Sequence, residues 1–157
     1  MEVIIFCGLP AAGKSTFYRE HFSTTHLLIS KDLLRANSRP ERRQAELMQL
    51  ALQARHSIII DNTNPTPAIR APLIELARAH QASITGYYFT ASVKQALARN
   101  SQREGRARVP PVAIYSAAAK LVPPAYSEGF DRVYYVYIAE NSTLTAPAWE
   151  IEEIARG

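Results

Sequence analysis

The chain has 157 residues, a mass of 17.5 kDa and a formal net charge of +4. Hydrophobic residues make up 47% and charged residues 20%, which is typical of a globular protein and excludes a disordered or fibrous chain. No apolar run approaches the roughly 18 residues of a membrane-spanning helix, and strand-like sequence follows Met1-Glu2 directly, without a basic leader. These features predict a single cytoplasmic domain over residues 1–157 with no membrane partner.

The first predicted strand, Val3 to Cys7, is followed at once by a glycine-bounded loop. Residues 8 to 16 read Gly-Leu-Pro-Ala-Ala-Gly-Lys-Ser-Thr. In such a loop the glycines let main-chain N–H groups crowd around a phosphate, the lysine reaches the β and γ oxygens, and the next hydroxyl binds Mg²⁺. We expect ATP and Mg²⁺ to bind here, with Ser15 on the metal and nucleotide contacts from Gly8, Ala11, Ala12, Gly13, Lys14, Ser15 and Thr16.

A second strand is predicted at Leu27 to Ser30, and Lys31-Asp32-Leu33-Leu34-Arg35 follows it. The carboxyl ends of parallel strands gather at one edge of an open α/β sheet, so this segment is expected to face the phosphate loop. Asp32 can there accept a proton from an attacking hydroxyl, and Arg35, on the same helical face, can hold an anionic acceptor. The alternative is that Asp32 caps a helix and Arg35 lies in solvent.

The third predicted strand, Ser57 to Asp61, ends in Ile60-Asp61-Asn62-Thr63-Asn64-Pro65. Asp61 is expected to serve the metal, through water or by fixing the Ser15 hydroxyl. Thr63 and Asn64 are candidates for hydrogen bonds to the substrate, although Asn-Pro is also a common turn former.

Helical periodicity separates the strands, and two helix starts carry capping signals. Thr66-Pro67 offers a hydroxyl followed by proline, and Ser92 to Gln95 fits a capping box. A basic segment of about 103–111 lacks apolar periodicity and predicts a mobile lid. Arg103 is its candidate catalytic arginine and Arg99, four residues earlier, is expected on the same helical face as a second nucleotide contact.

Two further strands, Ile84 to Thr90 and Val133 to Ala139, complete an alternating β-α order. Continuous apolar runs such as residues 58–60 favour strands buried on both faces. The sequence therefore predicts a three-layer α/β fold of the P-loop NTPase and kinase type, with a central, mostly parallel sheet of about five strands. A short helix is predicted at Trp149 to Ala155.

These motifs, in this order, resemble the P-loop kinase module of polynucleotide 5′-hydroxyl kinases. The resemblance runs from about Val3 to Tyr137 and includes Arg99-Asn100-Ser101-Gln102-Arg103 and the late Glu128-Gly129-Phe130. It implies a kinase that transfers the γ-phosphate of ATP to the 5′-hydroxyl end of DNA or RNA. By motif match it makes Asp32 the general base, Arg35 the contact to the acceptor phosphate and Arg103 the lid arginine on the ATP phosphates.

The sequence departs from this pattern at two places. Leu33 stands where phage-type members carry a second acidic residue. The third-strand motif is one residue longer than in the phage enzyme, so the residue that serves the metal could be either Asp61 or Asn62.

Two other functions share these motifs. One is a kinase of a small-molecule hydroxyl on a sugar, nucleoside or antibiotic; the other is a nucleotide-binding regulatory module that transfers nothing. The motifs do not distinguish DNA from RNA as the acceptor, ATP from GTP as the donor, or one oligomeric state from another.

Overall fold

The structure of the chain is a computed structural model that describes residues 1–34, 36–139 and 148–157, with Arg106 described by its main chain alone. The strands in these ranges are β1 Glu2–Cys7, β2 Leu27–Ile29, β3 Ile58–Asp61, β4 Ser83–Phe89, β5 Arg132–Ile138 and β6 Trp149–Glu153. The helices are α1 Lys14–His21, α2 Pro40–Gln53, α3 Pro67–Ala79, α4 Val93–Ser101 and α5 Pro111–Lys120. Three 3₁₀ helices, Lys31–Leu34, Gly105–Ala107 and Tyr126–Glu128, lie between them.

The strands form one sheet in the order β2-β3-β1-β4-β5-β6. The first five run parallel, and β6 is antiparallel to β5. Because β1 lies at the centre between β3 and β4, its carboxyl end opens onto the edge where ligands bind in such sheets. The predicted three-layer, mostly parallel α/β fold is confirmed.

Alternate residues of β1 point to opposite layers, as the strand period of two requires. Val3, Ile5 and Cys7 join a core that includes Met48 and Leu52 of α2 and Leu73 and Ile74 of α3. Ile4 and Phe6 join a second core with Phe17 of α1, Ala96 of α4 and Ile114 of α5. Cys7, at the end of β1, has no exposed surface.

The segment from Trp149 corrects one prediction. Residues 149–153 form β6 rather than a helix, and the register pairs Ile138 with Trp149 and Val136 with Ile151. Short apolar segments can form either a helix or a strand. Here the segment forms a strand because it pairs with the edge of β5, which would otherwise be unpaired. The sheet of the described residues therefore has six strands rather than five.

The capping predictions agree with the structure. The Thr66 hydroxyl accepts from Ile69 N at the start of α3, and Ser92 and Gln95 form a complete capping box on α4. Within the described ranges, no helix is both long and apolar enough to cross a membrane.

Candidate active site

The loop between β1 and α1 needs glycine at two places. A Cβ on Gly8 would lie 2.9 Å from the Cβ of Phe89, where no side chain fits. Gly13 precedes α1 with a φ of 93°, which favours glycine, and a Cβ there would lie 2.6 Å from the ring of Trp149. The loop thus packs between β4 and β6, and α1 directs its N-terminal N–H groups to the position of a bound phosphate.

Lys14 is the buried cation of this loop. Its Nζ donates to the carbonyl oxygens of Gly8 at 3.0 Å and Leu9 at 2.7 Å. Burial lowers the pKa of Lys14, while the Asp61 carboxylate opposes that shift. The same burial raises the pKa of Asp61, and Lys14 and the Ser15 hydroxyl act against it. The two charges therefore support each other in a poorly solvated site.

Asp32 lies in the same cleft as the phosphate loop. This cleft has a volume of about 850 Å³ and is lined by Lys14, Ser15, Asp32, Asp61 and Arg103, among other residues. The side chain of Asp32 is exposed, and its charge acts on Lys14, Asp61 and Arg103.

The main chain around Asp32 is fixed by two neighbours. The Ser30 hydroxyl accepts from Asp32 N at 3.2 Å, and the Asn62 side-chain oxygen accepts from Lys31 N at 2.8 Å. Asp32 therefore sits on a short 3₁₀ helix that is anchored to the ends of β2 and β3. Arg35, the predicted contact to an anionic acceptor near Asp32, lies outside the described residues.

Two arginines, Arg99 and Arg103, also line the cleft. α4 ends at Ser101, so Arg103 lies just beyond the helix and not on a common helical face with Arg99, because Gln102 caps the helix end. Both guanidinium groups are half-buried, and burial lowers the pKa of each. The Nε of Arg99 is buried and has no hydrogen-bond partner in the described structure.

The predicted lid segment, residues 103–111, is anchored by Asn100, a residue that sequence reasoning did not single out. Its side chain donates to Val109 O at 2.8 Å and accepts from Val109 N at 3.0 Å. Arg103 Nη1 also donates to Ala107 O within the segment. No sequence signal indicates this anchor, because the inward position of Asn100 is known only from the structure.

The turn after β3 forms part of the cleft wall. Thr63 and Asn64 line the cleft, as does Asn62. Asn64 is buried, and its side-chain nitrogen donates to Phe6 O at 2.7 Å, while the Asn62 amide donates to Gln44 at 2.7 Å. Asn62 thus braces two segments, and Asp61 is the residue that contacts the Ser15 hydroxyl, at 3.1 Å.

The oxygen atoms beside the phosphate loop suit a hard divalent cation. The Ser15 hydroxyl and the Asp61 carboxylate are the ligand types that Mg²⁺ takes alongside phosphate oxygens and water. No group of three or more His, Cys, Asp and Glu capable of holding a metal occurs in the described ranges. A metal here would therefore depend on the nucleotide for further ligands.

Two comparisons concern the sequence. The family model described as AAA domain matches residues 3–124. The bifunctional polynucleotide phosphatase/kinase of Schizosaccharomyces pombe (strain 972 / ATCC 24843) is 28% identical over 136 residues, which cover 84% of this chain and 32% of that protein. The chain thus spans about a third of the length of this curated relative.

Similar folds occur among solved structures. Kti12 of Chaetomium thermophilum, in complex with ADP-AlF3, has a TM-score of 0.67 at 16% identity and covers 91% of this chain and 93% of its own. A gluconokinase from Sinorhizobium meliloti 1021 has a TM-score of 0.60 at 16% identity and covers 92% and 85%. Because the family model covers more than half of the sequence, the chain belongs to the AAA domain family, and its fold is that of the P-loop kinases.

Proposed function

We propose that the protein is an ATP-dependent kinase that phosphorylates the 5′-hydroxyl end of DNA or RNA. The observation that carries this proposal is the position of Asp32 in one cleft with Lys14, Ser15 and Arg103. The similarity to a polynucleotide phosphatase/kinase supports the choice of acceptor. The basic net charge of +4 suits a polyanionic acceptor.

The residues divide the transfer between them. The main chain of the loop at residues 8–16 and Lys14 bind the β- and γ-phosphates of ATP. Asp32 accepts the proton of the acceptor hydroxyl as that oxygen forms a bond to the γ-phosphorus. The bond from this phosphorus to the β,γ-bridging oxygen breaks, and ADP leaves with its electron pair. Arg103 and Lys14 stabilise the negative charge on the transferring group.

Ser15 and Asp61 would hold Mg²⁺, which neutralises phosphate charge when it is bound. Arg35 is proposed to contact the phosphate of the acceptor strand. Thr63 and Asn64 are proposed to contact the acceptor from the turn after β3, and Arg99 to contact the nucleotide.

A kinase of a small-molecule hydroxyl is the second candidate. The gluconokinase fold matches nearly the whole chain, and the described cleft is open enough for a sugar. The chemistry of Asp32 and Lys14 would be the same, but the acceptor would need no phosphate.

One assay separates these functions. The purified chain is incubated with ATP labelled at the γ-phosphate and with a 5′-hydroxyl DNA or RNA oligonucleotide, its 5′-phosphorylated counterpart, a panel of sugars and nucleosides, or no acceptor. We expect label on the 5′-hydroxyl oligonucleotides alone, and none with Lys14→Ala.

Label on a sugar or nucleoside would overturn the polynucleotide proposal in favour of the second candidate. Labelled inorganic phosphate without any labelled acceptor would identify a nucleotide-hydrolysing module instead.

A further inference from the structure

Arg70 is a fully buried arginine of α3 that lies outside the catalytic set. Its Nε and Nη2 donate to the two carboxylate oxygens of Glu128 at 2.8 Å and 2.9 Å. Its Nη1 donates to the main-chain oxygens of Asn64 and Val122, each at 2.9 Å. One planar guanidinium therefore joins α3, the turn after β3, the segment after α5 and the 3₁₀ helix at Tyr126–Glu128.

The turn that receives this contact has an uncommon backbone. Asn64 has a φ of 44°, in the left-handed region that asparagine tolerates better than most residues. Three hydrogen bonds hold the turn in this conformation. The Asn64 side chain donates to Phe6 O, Arg70 donates to the Asn64 carbonyl, and Val122 N donates to the carbonyl of Pro65 at 2.7 Å. Residues kept in sparsely populated conformations by several contacts are concentrated at functional sites.

This turn is a wall of the cleft and is linked to both sides of it. Thr63, Asn64 and Pro65 line the cleft. The carbonyl of Thr63 accepts from Gly8 N at 3.1 Å, at the start of the phosphate loop. Asn62, at the other end of the turn, accepts from Lys31 N beside Asp32. A displacement of the turn would therefore move Asp32 relative to the γ-phosphate.

We infer that Arg70 and Glu128 are a positioning pair that fixes the turn 62–65 as the wall on the acceptor side of the cleft. The inference rests on the proposed kinase function for its kinetic readout. Glu128 contacts neither ATP nor acceptor in this scheme; it orients Arg70, and Arg70 orients the turn. Lysine cannot replace this arginine, because its ammonium is a single point and cannot reach the carboxylate and two carbonyls in one plane.

The variants are Arg70→Lys and Glu128→Gln, which avoid leaving an empty site. The matched control is Arg78→Ala. Arg78 lies on the same helix and donates to Gly129 O, next to Glu128, without reaching the turn. An effect that came only from the packing of α3 on this segment would appear in all three variants.

The first measurement is amide hydrogen exchange, which needs no acceptor. We expect faster exchange at Gly8 and Val122 in Arg70→Lys and Glu128→Gln, because these amides donate to the turn, and unchanged exchange at the centre of β1. Arg78→Ala should match the wild type at both amides. Unchanged exchange in the two variants would overturn the inference, as would a uniform increase across the sheet.

The second measurement is steady-state kinetics. We expect KM for the 5′-hydroxyl oligonucleotide to rise and kcat to fall, together by about tenfold or more in kcat/KM, since small displacements of reacting groups are costly. The affinity for ADP should change by less than about threefold, because the turn contacts the loop at the Gly8 amide, whereas Lys14 keeps its bonds to the carbonyls of Gly8 and Leu9.

Equal losses for ADP and for the acceptor, failure of both variants to fold, or the same losses in Arg78→Ala would assign the pair to stability alone and overturn the inference. A wild-type chain that phosphorylates no oligonucleotide would instead reject the proposed function, while the exchange measurement would still decide whether the pair holds the turn.

Discussion

At the scale of single residues, the site combines charges that burial disfavours. Lys14 is 8% exposed and Asp61 is 6% exposed, and burial shifts the pKa of each toward the neutral form. Their mutual attraction, together with the Ser15 hydroxyl, opposes this shift. A bound nucleotide brings negative phosphate charge next to Lys14. Removal of Lys14 should therefore weaken nucleotide binding, whereas removal of Asp32 should not.

We expect Lys14→Ala and Asp32→Ala each to lower turnover at least about 100-fold, the usual scale for losing a charge-stabilising group or a general base. Lys14→Ala should also weaken ADP binding, whereas Asp32→Ala should leave it near the wild-type value. Turnover and ADP affinity are measured side by side, with Glu46→Gln on the exposed face of α2 as the control. Near-normal turnover in Asp32→Ala would remove this residue from the role of base.

Cys7 gives a prediction about pH. Burial raises the pKa of its thiol from 9.0 to about 12. A group whose pKa is higher in the folded state stabilises the fold below its unfolded pKa and loses this contribution as pH rises. Relative to Cys7→Ala, the wild-type free energy of unfolding should therefore be about 1 kcal/mol lower at pH 10 than at pH 8.

Denaturant titrations of both proteins at the two pH values measure this difference. The folded wild type should also resist thiol-modifying reagents at pH 8, since the thiolate is the reactive form. Rapid modification of the folded chain would contradict the burial of Cys7.

At the scale of elements, local sequence signals identified helix starts better than ends. The Ser92 and Gln95 capping box and the Thr66 cap occur as predicted, because each needs only neighbouring residues. The strand at Trp149–Glu153, in contrast, depends on its pairing with β5. Local periodicity contains no information on such contacts.

The cap of α4 can be tested separately from the site that the helix supports. We expect Ser92→Ala to lower the free energy of unfolding by about 1 kcal/mol, because the main-chain N–H of Gln95, in the first turn of α4, loses its acceptor. The KM values for ATP and acceptor should stay near the wild type, since Asn100 still anchors the lid segment. Chemical denaturation and kinetics measure the two effects.

Ser101→Ala is the matched control in the last turn of α4, where an exposed hydroxyl donates to Ala98 O. We expect it to change stability by less than about 0.5 kcal/mol. If Ser92→Ala raised KM without loss of stability, the cap would have to act on the lid directly.

At the scale of the whole molecule, the mostly parallel sheet and the edge that carries the site could be predicted from sequence. A glycine-bounded loop after an apolar strand, and acidic residues after two more strands, are enough to place Lys14, Asp32 and Asp61 at one edge. The buried Arg70 and the anchor at Asn100 could not, because a polar residue within a helical pattern gives no sign that it faces inward. Arg70 contacts the Glu128 carboxylate and two main-chain oxygens, and Asn100 contacts the main chain of Val109.

The packing of β6 against the phosphate loop has an optical consequence. Trp149 is the only tryptophan of the chain, its ring lies against Gly13, and its indole N–H donates to Glu20 at 2.7 Å. The arrival of phosphate charge beside that ring should alter its intrinsic fluorescence, so titration with ADP would report occupancy without any label. If calorimetry shows ADP binding while the emission stays constant, the indole fluorescence does not respond to occupancy of the loop. Trp149→Phe, which lacks tryptophan emission, is the control.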